Sequence, residues 1–495
     1  MTEKDLYTRN GIGVFLFCNK KRLTRQLRCA AAFAFNLYKE AKAALVIREI
    51  LIARRSHMKP KHLKKLLLSE IESVTTRRDA FCINPSTDFV RNRKLPFHTI
   101  VKTIIGMESK SLMNELIDAF DADPNLPSAS AFVQQRCKIK PEAFKSVFDG
   151  FSSKLVPSES NTLRIFAVDG SDVQIATNPK DSASYHPGSN GQKPYNLLHL
   201  NALFDLEHHI YTDAVIQGRL EWNEHDALQE MVDRSNIQKA LIIADRGYES
   251  YNNMAHIQEK GWFFLIRIRD GEHGIKNGLD LPASDEFDQQ ITLKLTRRQN
   301  KETKELLKDK NHYRFIPASS SFDYLKKNSR KHDPLEFYEI RFRIVRFKVN
   351  ETLYETVLTN LDVDDYPPNK LRELYASRWG IETSFRNLKY TIGMLDFHTK
   401  KVMCIHQEIY AHLIMYNFAE MITSHVVIQK KQRKYTYSAN FTVAVHMCRL
   451  FYSGKTTSPN VEAIIARNII PIRPDRHRER KLTAKIFHGF LYRVA

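Results

Sequence analysis

Tyr375, Arg378, Glu382 and Lys389 are four polar residues spaced to share one edge of a helix. At about 100° per residue, with Tyr375 set at zero, Arg378 falls near roughly 300°, Glu382 near 340° and Lys389 near 320°. They spread along roughly 20 Å at about 1.5 Å per residue. Leu374, Ile381, Phe385, Leu388 and Ile392 occupy the adjoining arc, an apolar stripe that belongs in a core. Arg378 and Glu382 are spaced as an i,i+4 ion pair, worth a few tenths of a kcal/mol on a surface. Such a pair gives no reason for a tyrosine and a second cation on the same arc beside a core. An acidic metal ligand flanked by groups that hold phosphates does.

Other carboxylates must then complete the ligand set. Leu163 to Ser171 reads as an apolar strand ending in Asp169-Gly170, and Ala240 to Tyr248 repeats the design, a continuous apolar run ending in Asp245. An Asp-Gly pair after a strand is also ordinary turn chemistry. Carboxylates crowded at the ends of neighbouring strands repel unless a cation sits between them, which points to the oxygen-seeking ions Mg²⁺ or Mn²⁺. Asp172 lies three residues beyond Asp169, and odd spacing sends the two side chains to opposite faces of a strand. Asp169, which directly ends the apolar run, is the expected ligand.

The elements that position these residues follow from periodicity. Asn196 to Leu206 and Ile210 to Gln217 read as strands, with a helix from about Glu224 to Ser235. Between Asp245 and Glu382 the chain runs 382 minus 245, or 137, residues, far more than one strand and one helix need. Within that span Ile291 to Leu295, Tyr313 to Ile316 and Phe337 to Val349 alternate apolar with charged residues, as half-exposed strands do. Tyr354 to Asn360 follows as a strand, and Pro367-Pro368 precedes the helix of Glu382. Upstream, residues 1 to about 155 have helical periodicity and repeated basic clusters, including Asn19-Lys20-Lys21-Arg22 and Arg91-Asn92-Arg93-Lys94. Beyond about 425 the chain is basic again, at Lys430-Lys431, Arg433-Lys434 and from Arg473 to Lys481.

Composition narrows the partners. With 42% hydrophobic residues the chain can bury a full core, and 76 Lys and Arg against 56 Asp and Glu leave a net charge of +20. Such an excess points to a polyanion, nucleic acid first. No secretion signal and no apolar run of about 18 or more residues is present, so no membrane partner is expected. The six cysteines are scattered without a C-x-x-C pair and read as reduced thiols of a cytoplasmic protein.

Asp169 in Val-Asp-Gly-Ser, Asp245 in Ala-Asp-Arg-Gly-Tyr, and the Tyr-x-x-Arg-x-x-x-Glu-x-x-x-x-x-x-Lys spacing together resemble the DDE transposases of bacterial insertion sequences, of the insertion-sequence-four type. Arg378-Trp379-Gly380-Ile381-Glu382 is also similar to that family's wording. The resemblance covers about residues 85 to 425 and is weaker at Phe89 to Phe97. It implies an α/β chain with an RNase H-like catalytic core, a mixed sheet flanked by helices, interrupted by a β-rich insertion. The expected division is a helical basic N-terminal DNA-binding domain (1–155), core (156–269), insertion (270–352), core with the Glu382 helix (353–425) and a helical basic C-terminal region (426–495).

The resemblance further implies that Asp169, Asp245 and Glu382 hold two divalent metal ions, Mg²⁺ or Mn²⁺, while Tyr375, Arg378 and Lys389 contact DNA phosphates. Trp379 would stack on a base or pack under the insertion. The implied partners are double-stranded DNA, as terminal inverted repeats and target, and a second copy of the chain in a homodimer, at the nucleoid. The implied reaction is cleavage at insertion-sequence ends and strand transfer. A hairpin intermediate, a nuclease without strand transfer, and a non-catalytic DNA-binding derivative are left open by the residues.

Overall fold

A computed structural model describes residues 58–472, apart from 92, 157–161, 189–192, 270–273, 328–335, 351–352 and 429–434. The basic clusters at Asn19 to Arg22, Lys430 to Lys434 and Arg473 to Lys481 lie outside the described residues.

Ten strands form one sheet: β1 (Arg164–Ile175), β2 (Tyr185–His186), β3 (Tyr195–Asp205), β4 (Ile210–Gln217), β5 (Ala240–Ala244), β6 (Phe263–Arg267), β7 (Phe287–Thr296), β8 (Tyr313–Phe315), β9 (Tyr338–Asn350) and β10 (Leu353–Thr359). At its heart β4, β3 and β1 run antiparallel, and β5 and β6 add parallel to β1. Three antiparallel strands followed by two parallel ones, in the order β4-β3-β1-β5-β6, make an RNase H-like core. Past β6 the sheet continues without a break through β10, β9, β7 and β8. The alternating strands between Asp245 and Glu382 therefore extend the core sheet by its β6 edge.

Both faces of the sheet are covered, and strand alternation decides what each face carries. Phe166 and Val168 of β1 and Ile242 and Ala244 of β5 pack with the helices Glu224–Arg234 and Tyr251–Glu259. Ala167 and Val173, with Leu241 and Ile243, face the opposite way, toward the helices Trp379–Asn387, Glu142–Leu155 and Val402–His425. The last of these is buried along nearly its whole length, and the helices Pro60–Thr76 and Phe97–Gly106 pack around it. No helix among the described residues is long and apolar enough to cross a membrane.

Two expectations change. β1 does not end at Asp169-Gly170; it pairs with β3 without a register shift from Phe166 to Ile175, so Asp169 sits mid-strand. The apolar run stops there because an open cleft replaces the core, and the backbone ladder continues. The Tyr375-to-Lys389 stretch is also not one uniform helix. Pro368–Ser377 and Trp379–Asn387 meet at Arg378, where the amides of Arg378 and Ile381 bond three residues back, and Leu388–Ile392 is a π-helical turn. Arg378 keeps right-handed helical angles, so the direction is retained, but the wider last turn shifts Lys389 from its ideal position.

Candidate active site

Parallel pairing brings the first two carboxylates to the same end of the sheet. β1 and β5 are in register up to Ala167 and Ile243; Asp169 lies two residues further along β1, and Asp245 lies two residues on, just past the end of β5. The residues two positions before them, Ala167 and Ile243, belong to the face that carries the Trp379–Asn387 helix. That helix is fixed to the sheet by Ile381, Phe385 and Leu388, all in the shared core. The Tyr211 hydroxyl of β4 lies 2.8 Å from Ser384 Oγ, which itself donates to the Ile381 carbonyl. Gly380 leaves room for the approach, since a Cβ there would stand 2.9 Å from Leu206 Cδ2.

Glu382 is thereby brought beside Asp169. Arg378 Nη2 donates to Glu382 Oε1 at 2.7 Å, and its Nη1 stands 3.9 Å from Asp169 Oδ2. Burial is the main influence raising the Asp169 carboxyl, to about 7; the charges of Glu382 and Asp245 push the same way, and Arg378 opposes them. Asp245 caps the turn that follows β5, accepting from the Gly247 amide at 2.7 Å. Asp169, Trp379, Glu382 and Lys389 line one cleft of about 400 Å³. Lys389 Nζ donates to the Asp172 carbonyl at 2.7 Å, on the strand that carries Asp169.

Tyr375 lies deeper than its neighbours. Only 4% of it is exposed, the Arg378 guanidinium sits 5.9 Å from its ring centroid, and its hydroxyl has no hydrogen-bond partner among the described residues. Trp379 is half-buried in the cleft wall. Arg297, just past the end of β7, donates to the carbonyls of Pro317, Ser320 and Phe322.

A second cluster beside the site had no spacing signal in the sequence. His199 of β3 bridges Asp172 at 2.8 Å and Glu224 at 2.9 Å, and Trp222 stacks on its ring at 4.6 Å. Burial alone would lower the imidazole, but the two carboxylates raise it to about 9. The ring packs directly over Gly170, where a Cβ would meet Nε2 at 2.2 Å. Gly170 is thus required by close approach and not by a turn. Cross-strand pairing of Asp172 with His199 could have been found only once the register was known.

Residues 160–418, just over half of the chain, match the family described as "Transposase DDE domain". The chain belongs to the DDE transposase family. The transposase InsG of insertion sequence element IS4, from Escherichia coli strain K12, is 22% identical over 349 residues, covering 66% of this chain and 70% of that protein. The insertion-sequence-four type is the branch to which this DDE transposase is similar. A solved structure described as a piggyBac transposase synaptic complex with hairpin DNA aligns over 82% of this chain and 84% of its own, at 10% identity and a TM-score of 0.41.

The family implies divalent metal ions. Among the described residues, no group of three His, Cys, Asp or Glu side chains is already gathered as a metal cage. The donor chemistry fits nonetheless. Asp169, Asp245 and Glu382 supply only carboxylate oxygens, the ligands Mg²⁺ and Mn²⁺ take. Burial chiefly raises the Asp169 carboxyl, and the charges of Glu382 and Asp245 add to it, a repulsion that a shared cation would relieve.

Proposed function

We propose that this transposase cleaves DNA at the ends of an insertion sequence and joins those ends to target DNA, with Asp169, Asp245 and Glu382 as its metal-binding carboxylates. The observation that carries the reading is that the parallel neighbours β1 and β5, in register up to Ala167 and Ile243, lead to Asp169 and Asp245 at the same end of the sheet, with Glu382 held beside Asp169 through Arg378. Two divalent ions bound there would supply activation of a water or 3′-hydroxyl and stabilisation of the leaving oxygen in an in-line attack on a phosphodiester. The chain's own residues do the rest. Lys389 puts a cation in the cleft lining, suited to a phosphate beside the scissile bond. Arg378 offers a planar fork for the same charge, supported by the Tyr375 ring beneath it. Trp379, in the wall, offers an aromatic surface to a base. No covalent enzyme intermediate is needed, so no nucleophilic side chain is required.

The partner is double-stranded DNA, which the net charge of +20 supports. A homodimer would hold two element ends together. The helical N-terminal part and the basic C-terminal part are read as the DNA-docking regions on either side of the core.

The test uses a labelled duplex carrying the element end, with a target plasmid. Glu382→Ala is expected to bind the end as wild type does in a gel shift, while Mg²⁺-dependent cleavage falls by roughly a thousandfold or more. Retained cleavage by that variant refutes the assignment. Cleaved ends that never appear joined to plasmid would reduce the activity to that of a nuclease.

A further inference from the structure

On the helical side of the molecule, away from the carboxylates, a cavity of about 240 Å³ lies between the helices Phe97–Gly106, Leu112–Ala119 and Phe441–Ser453. Lys102, Lys110, Lys455 and Arg449 line it, with Glu108, Glu115 and Asp118, the last paired with Lys110 at 2.7 Å. Arg449 is only 8% exposed. Its Nη2 donates to the Ile392 carbonyl at 2.8 Å, while its Nε is buried without a hydrogen-bond partner among the described residues. The neighbouring carboxylates are occupied elsewhere. Glu115 accepts the amides of Glu108 and Lys110, and Glu108 pairs with Lys110 at 3.5 Å and His446 at 3.4 Å. Glu108 and Glu115 act on the Arg449 charge through space without bonding it. A buried guanidinium with an N–H left unpartnered is costly, and an anion in the cavity completes it.

We propose that this cavity binds a small phosphate oxyanion, free inorganic phosphate or the phosphoryl group of a small metabolite, with Arg449 at its base and Lys102 at its exposed mouth. A cavity of this size holds a single small group, and the depth of Arg449 suits a free anion better than the backbone of a duplex. The site has a route to the cleft. Ile392 closes the π-helical turn that carries Lys389 and follows the Glu382 helix. The next residue, Gly393, has a φ of 98°, and a Cβ there would stand 2.2 Å from Ser109 Oγ, next to the cavity-lining pair Glu108 and Lys110. An anion on Arg449 therefore anchors the side chain that holds the end of this catalytic segment.

The experiment is calorimetric titration and thermal melting of the full chain, free of metal, with sodium phosphate against sodium chloride at equal ionic strength. Saturable one-to-one binding of phosphate is expected in wild type and in Lys389→Met, which removes one cation of the main cleft. Arg449→Met is expected to weaken it at least tenfold, and Lys102→Gln severalfold. Equal binding by wild type, Arg449→Met and Lys102→Gln, or no saturable binding in wild type, overturns the proposal. Lys102→Gln carries the test alone if Arg449→Met does not fold. A parallel titration with a non-specific duplex separates the sources. If Arg449→Met lowers the salt dependence of DNA binding by about one phosphate contact and free phosphate has no effect, the cavity serves the DNA backbone and the free-anion proposal falls.

Discussion

Arg378 offsets two carboxylate charges, that of Glu382 by a direct bond and that of Asp169 at longer range. Its guanidinium is held more firmly protonated than usual: burial opposes the charge, but Tyr375, Glu382 and Asp169 outweigh it. Arg378→Met should therefore destabilise the metal-free protein by about 2–4 kcal/mol, since it leaves buried like charges uncompensated. Millimolar Mg²⁺ should recover much of that loss by supplying the missing positive charge. Melting curves in EDTA and in Mg²⁺ check this, and an equal loss in both would mean that Arg378 is not the carboxylates' counter-ion. The raised Asp169 carboxyl belongs to the same crowding, and spacing along the chain gave no hint of it, because it arises from burial and from neighbours distant in sequence.

At the scale of elements, the helix of Glu382 was the most legible part of the chain. Its apolar stripe of Ile381, Phe385 and Leu388 is the face that the core takes up. The tightened join at Arg378 and the π turn at Leu388–Ile392 were not legible, because helical periodicity is insensitive to one bond shifted by one residue. Tyr211 and Ser384 pin this helix to β4 through one buried hydrogen bond. Tyr211→Phe and Ser384→Ala each sever it, so their effects on stability should not add; a double-mutant cycle by denaturant unfolding should return a coupling of about 1 kcal/mol. Strict additivity would mean that the bond contributes nothing.

The junction of the helices Ala129–Arg136 and Val402–His425 is held by a different device. Arg136 donates to Glu408 at 2.7 Å, and His398 stands 3.2 Å from the same carboxylate. Burial would lower the His398 imidazole, but Glu115 and Glu408 raise it to about 9. A group raised on folding contributes its stability fully below its unfolded value, near 6.5, and loses it as pH climbs through the folded one. Unfolding free energy should therefore fall between about pH 6.5 and 9, by at most roughly 1.4 kcal/mol per pH unit for this proton, and the melting temperature should fall with it. His398→Gln should remove that part of the slope, and a wild-type slope that survives the substitution assigns it elsewhere.

Over the whole molecule, the sheet explains both what the sequence reveals and what it hides. Buried runs such as Ala240 to Ala244 announce core strands, and the alternation of Phe337 to Val349 announces a half-exposed one. Nothing in either pattern says that β10 pairs with β6, so that the long span between Asp245 and Glu382 continues the core sheet. Nor could the end of an apolar run show that β1 carries on past Asp169, since backbone pairing does not depend on side-chain polarity. The topology does put Asp169 on β1 and Asp245 just past the end of its parallel neighbour β5, close enough for the charge of Asp245 to act on Asp169, and the proposed function expects them to behave as ligands of one centre.

The most direct measurement replaces Asp245 by cysteine and follows cleavage of a labelled element-end duplex in Mg²⁺ and in Mn²⁺. A thiolate is a poor ligand for Mg²⁺ and a better one for the softer ion. If Asp245 holds a metal with Asp169 and Glu382, Asp245→Cys will be inactive in Mg²⁺ and will regain measurable cleavage in Mn²⁺. Cleavage in Mg²⁺ at the wild-type rate would contradict the shared metal centre.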